Sequence, residues 1–205
     1  MSKRTFIPAL FAVLALLCGC ANTVSYDLSG RYGEFRPYTI AVLPPVFDEG
    51  VQEDRGAGDL LRKMVFEKLK LRGYGALPLE EVDAAAGKEG VLLKGKDPGE
   101  AARLLNADAA LYIRITGWES RLFVTYASIK LESVFELYAS RGQERLWRAS
   151  YAVKESDIRL DRESMELAVI KAYEPMIERF TDAVMRTLPP AEPGVRERKF
   201  FDWLP

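Results

Sequence analysis

The sequence predicts an α/β fold, with a mixed sheet of about five strands and helices packed on it as a sandwich. Three observations lead to this class. Short apolar runs alternate with amphipathic stretches in the first half, and alternating apolar and polar residues fill the middle. A long apolar stripe at helical spacing ends the folded part. We expect parallel strand pairs where helices connect them and an antiparallel arrangement in a long later hairpin.

The first half contains one buried strand followed by helices. Residues Tyr38–Pro45 have the sequence YTIAVLPP, and the two prolines end the predicted strand because proline cannot donate to a sheet ladder. Apolar residues recur at helical spacing over residues 60–69, and Gly73 suits the end of that helix. An extended segment broken at Pro78 and a short helix follow. Asp97 precedes a proline and predicts the start of another short helix.

The second half contains three strands and one long helix. Residues 107–118 predict a core strand, and residues 122–140 predict a long strand with one apolar and one charged face. The turn Arg141–Gly142–Gln143 leads into its antiparallel partner. Residues 163–188 form a continuous helical stripe, which we expect Pro175 to kink or to split in two.

The N-terminus has the form of a secretory signal segment. Lys3 and Arg4 precede an apolar run over residues 6–17, which is too short to span a bilayer. The run ends in Leu-Cys-Gly-Cys, which resembles the bacterial lipobox. In that motif Gly19 is the small residue before the cleavage site, and Cys20 accepts the lipid. The resemblance implies a covalent diacylglyceryl group and an N-acyl chain, such as palmitate, on Cys20.

These patterns divide the chain into four parts. We expect a lipoprotein signal peptide at residues 1–19, a lipidated tether at residues 20–37, an α/β domain at residues 38–188 and a C-terminal tail at residues 189–205. Two acyl chains are enough for stable membrane anchoring. Residue 21 is alanine rather than aspartate, which by analogy with Gram-negative sorting rules favours the outer membrane, with the domain facing the periplasm.

Composition excludes several classes of function. The chain has 29 basic and 30 acidic residues, and removal of Lys3 and Arg4 takes the formal charge from −1 to −3. We therefore expect no nucleic-acid partner, since that function needs a basic face. The chain has no histidine, and its two cysteines are Cys18 and Cys20. A disulfide framework and a Cys/His zinc site are thus excluded from the mature chain, and we expect no metal and no cofactor beyond the lipid.

Four stretches in order resemble a family of bacterial lipoproteins of unknown function: YTIAVLPPV, LRGYGALPLEEVD, NADAALYIRITGW and LWRASYAV. The resemblance covers residues 38–156. The family has Gly where this chain has Asn106, and Asn also accepts left-handed geometry at a helix end. The resemblance implies a fold related to the TolB N-terminal domain and to CsgG-like and LpoB-like lipoproteins. It also implies envelope proteins as partners, including a CsgG-like lipoprotein, and is compatible with an oligomer.

We expect this protein not to be an enzyme. A hydrolase needs a nucleophile and a base of matched pKa, and the mature fold lacks histidine and a free thiol. Its carboxylate pairs, such as Glu80–Glu81, lie where ordinary surface and capping residues occur.

Two segments are candidate contact sites. Pro44, Pro45, Phe47 and Asp48 follow a core strand, where α/β sheets place ligands, so they form a candidate partner or ligand loop. The loop lacks phosphate-binding fingerprints, and a plain strand-ending loop is the preferred interpretation. The tail carries Phe200, Phe201 and Trp203 at residues 200–203. It either folds back onto the domain, which we favour, or docks on a partner or membrane.

The sequence therefore favours a non-enzymatic, lipid-anchored outer-membrane lipoprotein that serves as an accessory in an envelope assembly or secretion complex. An alternative is an auxiliary subunit of an envelope transport system that binds lipid or another small ligand. The alternative requires an apolar cavity between sheet and helices.

Overall fold

The computed structural model describes residues 23–86, 97–122, 126–159 and 165–192. Within these ranges it contains seven strands and five helices. The strands are β1 Ser25–Leu28, β2 Thr39–Val42, β3 Val46–Phe47, β4 Gly75–Ala76, β5 Ala109–Leu122, β6 Tyr126–Ala139 and β7 Arg145–Arg159. The helices are α1 Tyr32–Phe35, α2 Arg55–Leu71, α3 Leu79–Ala86, α4 Pro98–Leu104 and α5 Met165–Met185.

The described strands form one open mixed sheet in the order β1-β7-β6-β5-β2-β4, with β3 paired to β5. The pairs β2–β4, β2–β5 and β3–β5 are parallel, since helices connect these strands. The pairs β5–β6, β6–β7 and β1–β7 are antiparallel. This confirms the predicted mixed sheet, and the short strands β1 and β3 account for the two strands beyond the predicted five.

Helices cover both faces of the sheet around β2 and β5. Alternate residues of β2 point to opposite faces, so Ile40 and Val42 join one apolar cluster and Ala41 joins another. The larger cluster packs against α2 and α5, and the smaller one packs against α3 and α4. The other face of β6 and β7 carries polar residues, as the alternation predicts.

Local sequence signals set the helix ends and the hairpin turn. The Asp97 side chain accepts a hydrogen bond from the Gly99 N–H at 2.8 Å and caps α4 as predicted. Gly73 follows α2 with φ +87°, and Asn106 follows α4 with φ +53°. In the β6–β7 turn, Gly142 and Gln143 both have positive φ, which matches the right-handed twist of a hairpin.

Pro175 does not divide the C-terminal helix. Helix α5 runs without a break from Met165 to Met185, so the predicted split into two helices is wrong. Pro175 lies on the exposed side of α5, between Tyr173 and Met176, which are buried. The proline ring therefore does not displace a core contact. No helix in the described ranges is both long enough and apolar enough to cross a membrane.

The segment predicted as a tether is ordered from residue 23 onward, so the tether prediction is wrong for that part. Ser25–Leu28 forms β1 and pairs with β7 from Ser150 to Trp147. Helix α1 follows, and its Tyr32 and Phe35 pack against the larger core cluster. A strand of four residues is too short to show a period in the sequence, and β7 supplies the partner that orders it.

Candidate functional site

The predicted partner or ligand loop lies at the carboxyl end of β2, as expected. Pro44 is exposed and Pro45 is half-buried. The loop is held to the sheet, because the Leu43 N–H donates to the Leu111 carbonyl and the Asp48 N–H donates to the Ile115 carbonyl, both at 3.0 Å. The loop between β2 and β3 is therefore held against β5 by backbone hydrogen bonds at both of its ends.

Phe47 is a core-packing residue of this loop. Its ring packs against the larger apolar cluster. The ring also lies over Gly58 of α2, where an added Cβ would be 3.4 Å from two ring carbons. The short strand β3 turns the Phe47 ring toward α2 and leaves it half-buried, which favours the interpretation of a plain strand-ending loop.

Asp48 is the polar member of the loop. Its carboxylate lies 3.5 Å from the Arg114 guanidinium, and both side chains are partly exposed. Such a pair contributes little to stability, typically up to about 1 kcal/mol. The accessible part of the loop is thus Pro44, Pro45 and Val46, with the Asp48–Arg114 pair beside them.

Arg62 holds the same end of β2 from inside the molecule. Its Nε and Nη2 donate to the Val42 carbonyl at 3.1 and 2.9 Å, and its Nη1 donates to Asp83 at 2.7 Å. Earlier in β2, the Ile40 carbonyl accepts a hydrogen bond from the Leu77 N–H. The Val42 carbonyl, two residues further along the strand, has Arg62 as its donor instead. The sequence did not reveal this role, since Arg62 sits among other charged residues of an amphipathic helix.

The polar face of β6 carries matched charges. Lys130 lies 3.0 Å from Glu132, and its hydrogen bond to Glu132 raises the pKa of Lys130. Arg145 and Arg148 both approach Glu136, at 3.3 and 3.6 Å. This arrangement confirms the predicted alternation of one apolar and one charged face.

A shallow polar pocket lies at the opposite end of the sheet from the predicted loop. It measures ≈ 230 Å³, and it is lined by Arg31, Glu34, Phe35, Asp108, Ser140 and Arg141. Arg31 pairs with Glu34 at 2.9 Å and with Glu144 at 2.5 Å. The Asp108 carboxylate accepts from the N–H groups of Tyr38 and Thr39. This charged pocket lies outside the sheet–helix interface that the transport alternative requires.

Two tyrosines join the N-terminal segment to the C-terminal segment of the described chain. Tyr32 and Tyr74 share a hydrogen bond of 2.5 Å, and Tyr74 donates to the Pro189 carbonyl at 2.5 Å. Burial raises the pKa of Tyr74 well above its ordinary value, and the bond with Tyr32 raises it further. Burial also raises the pKa of Tyr32.

The chain continues along this end of the domain as far as Glu192. The Arg72 guanidinium donates to the Leu188 carbonyl, and the Ala191 N–H donates to the Arg72 carbonyl at 3.0 Å. Glu192 pairs with Arg36 at 2.8 Å. The predicted tail therefore begins as part of the domain, because residues 189–192 are bonded to it.

The chain is similar to known proteins in its fold. No protein-family model matches the chain, and no curated protein matches it. The fold is similar to that of lipoprotein GNA1162 from Neisseria meningitidis. The TM-score is 0.51 at 19% identity, over 68% of this chain and 98% of that one.

Two further structures give weaker likenesses. PelC from Paraburkholderia phytofirmans, a dodecamer, has a TM-score of 0.49 at 14% identity, over 80% of this chain and 97% of that one. The LpoB C-terminal domain from Salmonella enterica has a TM-score of 0.37 at 17% identity, over 58% of this chain and 84% of that one.

The remaining predicted site residues lie outside the described residues. These are Gly19 and Cys20 at the N-terminus and Phe200, Phe201 and Trp203 at the C-terminus. The nearest described positions are Thr23, before β1, and Glu192, beside Arg36.

Proposed function

We propose that this protein is a bacterial lipoprotein anchored in the outer membrane through lipid on Cys20, with its α/β domain facing the periplasm. The observation that carries the proposal is the motif Leu17-Cys18-Gly19-Cys20 directly after a short apolar run. The similarity of the fold to lipoprotein GNA1162 supports it.

The position of β1 sets how the domain would stand on the membrane. Cys20 precedes Ser25 by five residues. Five residues span at most about 17 Å, at roughly 3.3 Å each. The β1 edge of the sheet would therefore lie within about 17 Å of the lipid surface. A fully extended tether of residues 20–37 would allow a much larger distance between the domain and the membrane.

In this position the domain would act as a non-enzymatic accessory of an envelope assembly or secretion complex. Several of its charged groups pair with one another, as in the Asp48–Arg114 and Lys130–Glu132 pairs. The accessible turn at Pro44 and Pro45 and the polar face of β6 are the surfaces it would offer to envelope proteins, a CsgG-like lipoprotein among them.

Acylation is tested with the two cysteines as a matched pair. In a Gram-negative host, Cys20→Ser should abolish incorporation of labelled palmitate and leave residues 1–19 attached. Cys18→Ser should incorporate palmitate and lose residues 1–19 as the wild type does, because Cys18 is removed with the leader. Mass spectrometry of the wild-type chain should find Cys20 as an acylated N-terminus. An unmodified Cys20 thiol, or a retained leader, would refute the lipoprotein proposal.

Location and partners are tested separately. Ala21→Asp should move the chain from the outer-membrane to the inner-membrane fraction, whereas Ala21→Ser should leave it in place. Pull-down of the anchored chain from detergent-solubilised membranes should recover an envelope assembly component. Reproducible recovery of an inner-membrane transporter instead would favour the transport alternative.

A further inference from the structure

The edge strand β1 has an apolar side that the described part of the chain leaves open. Tyr26 and Leu28 lie opposite Ala149 and Trp147 in the β1–β7 register. Directly paired residues of antiparallel strands point to the same face, and here that face is the one bearing α2 and α5. Yet Tyr26 is 59% exposed and Leu28 is 39% exposed. We call these two side chains the β1 strip.

The width of the sheet explains why the strip is open. Packed helices lie about 10 Å apart and paired strands about 4.8 Å apart, so one helix covers about two strands. In the described ranges, α2 and α5 pack side by side on this face, with α5 against β7. The sheet is six strands wide along its path, so β1 lies beyond the cover of α5.

The C-terminal chain passes near the strip at Thr187 and leaves the domain at Glu192, close to the start of β2. Trp147, the neighbour of Leu28 across the strands, donates through Nε1 to the Thr187 hydroxyl at 3.2 Å. The chain then follows the domain to Glu192, which pairs with Arg36 at 2.8 Å. The 13 residues that follow, 193–205, can span up to about 43 Å at roughly 3.3 Å each. Paired strands lie about 4.8 Å apart, so residues 193–205 are long enough to return across the sheet to β1.

The composition of those residues matches the strip. Residues 200–204 have the sequence Phe-Phe-Asp-Trp-Leu, and Arg196, Arg198 and Lys199 precede them. The acidic residue of β1, Asp27, lies on the other side of the strand and approaches Arg145 at 3.9 Å, so the match rests on the apolar residues. In an extended segment Phe201 and Trp203 would share one side, as Tyr26 and Leu28 do in β1.

We propose that residues 200–204 bind to the β1 strip of their own chain, lying along the free edge of β1 with Phe201 and Trp203 against Tyr26 and Leu28. The segment supplies the apolar cover that α5 does not reach, and pairing with it shields the backbone edge of β1. The interaction does not depend on acylation, so it stands or falls separately from the proposed function.

Fluorescence of Trp203 tests the proposal in the full-length chain in detergent. The other two tryptophans, Trp118 and Trp147, are buried in the core, so the wild-type spectrum minus that of Trp203→Phe isolates Trp203. We expect blue-shifted emission that moves to the red in the double variant Tyr26→Ser, Leu28→Ser. The control is Leu104→Ser, a 50% exposed leucine of α4 on the other face, which should leave the emission unchanged.

Hydrogen exchange gives an independent readout. In a chain ending at Glu192, the amides of β1 should exchange roughly tenfold faster or more, because burial of side chains of this size contributes at least that factor. Solvent-like Trp203 emission, or emission unaffected by the Tyr26 and Leu28 substitutions, would overturn the proposal. Emission that shifts with chain concentration, together with dimer formation, would also overturn it, since the strip would then bind the tail of a second copy.

Discussion

Tyr32 and Tyr74 share a hydrogen bond of 2.5 Å, although they come from α1 and from the segment after α2. Tyr74 also donates to the Pro189 carbonyl, beyond the end of α5. The phenols therefore connect three segments that are far apart in the sequence. They fix where the N-terminal and C-terminal parts of the chain meet.

The tyrosine bond should make a measurable contribution to stability. Tyr32→Phe should lower the free energy of unfolding by about 0.5–1.5 kcal/mol at neutral pH, as expected for one hydrogen bond. Tyr74→Phe should cost more, because it also leaves the Pro189 carbonyl without its donor. Chemical denaturation of the two single variants and the double variant would measure the coupling. Strictly additive losses would show that the two phenols do not interact.

The same pair predicts a loss of stability at alkaline pH. Burial raises the pKa of Tyr74 and of Tyr32, so the folded state holds these protons more tightly than the unfolded chain does. Their contribution is complete below the ordinary tyrosine pKa of about 10 and is lost as the pH rises above it. Unfolding followed against pH should therefore show a shallower alkaline decline in Tyr74→Phe. An unchanged slope would contradict this assignment.

Arg62 should be among the most sensitive polar residues of the domain. Arg62→Met keeps much of the apolar volume but removes both hydrogen bonds to the buried Val42 carbonyl. We expect a loss of about 2–3 kcal/mol in the free energy of unfolding. The control is Asp83→Asn, which alters the exposed end of the ion pair and should cost less than about 1 kcal/mol. Equal effects of the two variants would place the contribution in the ion pair instead.

Gly99 lies at a close approach between α4 and the β6–β7 hairpin. A Cβ at this position would lie 2.7 Å from the Ala139 carbonyl oxygen and 2.9 Å from the Gln143 Cα. Both are backbone atoms, so Gly99→Ala should displace α4 and lower the stability by about 1–3 kcal/mol or more. Gly33→Ala in α1 is the control, because nothing lies within 4 Å of its Cβ position. We expect that variant to be neutral or up to about 1 kcal/mol more stable.

Ser133 offers a stabilising substitution. Its Oγ is buried and has no hydrogen-bond partner within the described part of the chain. Ser133→Ala removes the unpaired hydroxyl with little change in volume and should raise the unfolding free energy by about 1 kcal/mol. Thr187→Val is the contrast, because the Thr187 hydroxyl accepts from Trp147 Nε1 and its removal should be destabilising. Loss of stability in Ser133→Ala would indicate that the hydroxyl is satisfied.

The predictions that succeeded rest on local chemistry. Asp97 caps α4, Asn106 adopts the left-handed conformation after it, and Gly142 lies in the hairpin turn. Each outcome depends on a residue and its immediate neighbours, so the sequence alone carries the information. The long strands and the amphipathic helices were also predictable, because their hydrophobic periods extend over many residues.

The predictions that failed concern short segments whose partners lie far away in the sequence. Ser25–Leu28 is a strand because β7 is beside it. The packing of the Phe47 ring against the core, which the sequence did not indicate, also depends on the pairing of β3 with β5. Likewise, Arg62 binds Val42 across a helix–strand contact that no spacing rule marks. The accessible surface of the candidate loop could not be predicted for the same reason.

The sequence by itself determined the α/β class, the main strands and helices and the Asp97 cap, and it contains the N-terminal motif on which the proposed anchoring rests. Only the tertiary structure decided which strand forms the sheet edge, which loop residues stay accessible and how residues 189–192 are held. The physical reason is how far apart in the sequence the interacting residues lie. Caps, turns and periodicity depend on neighbours in sequence, whereas edge pairing, ring burial and the Tyr32–Tyr74 bond form only when distant segments are brought together.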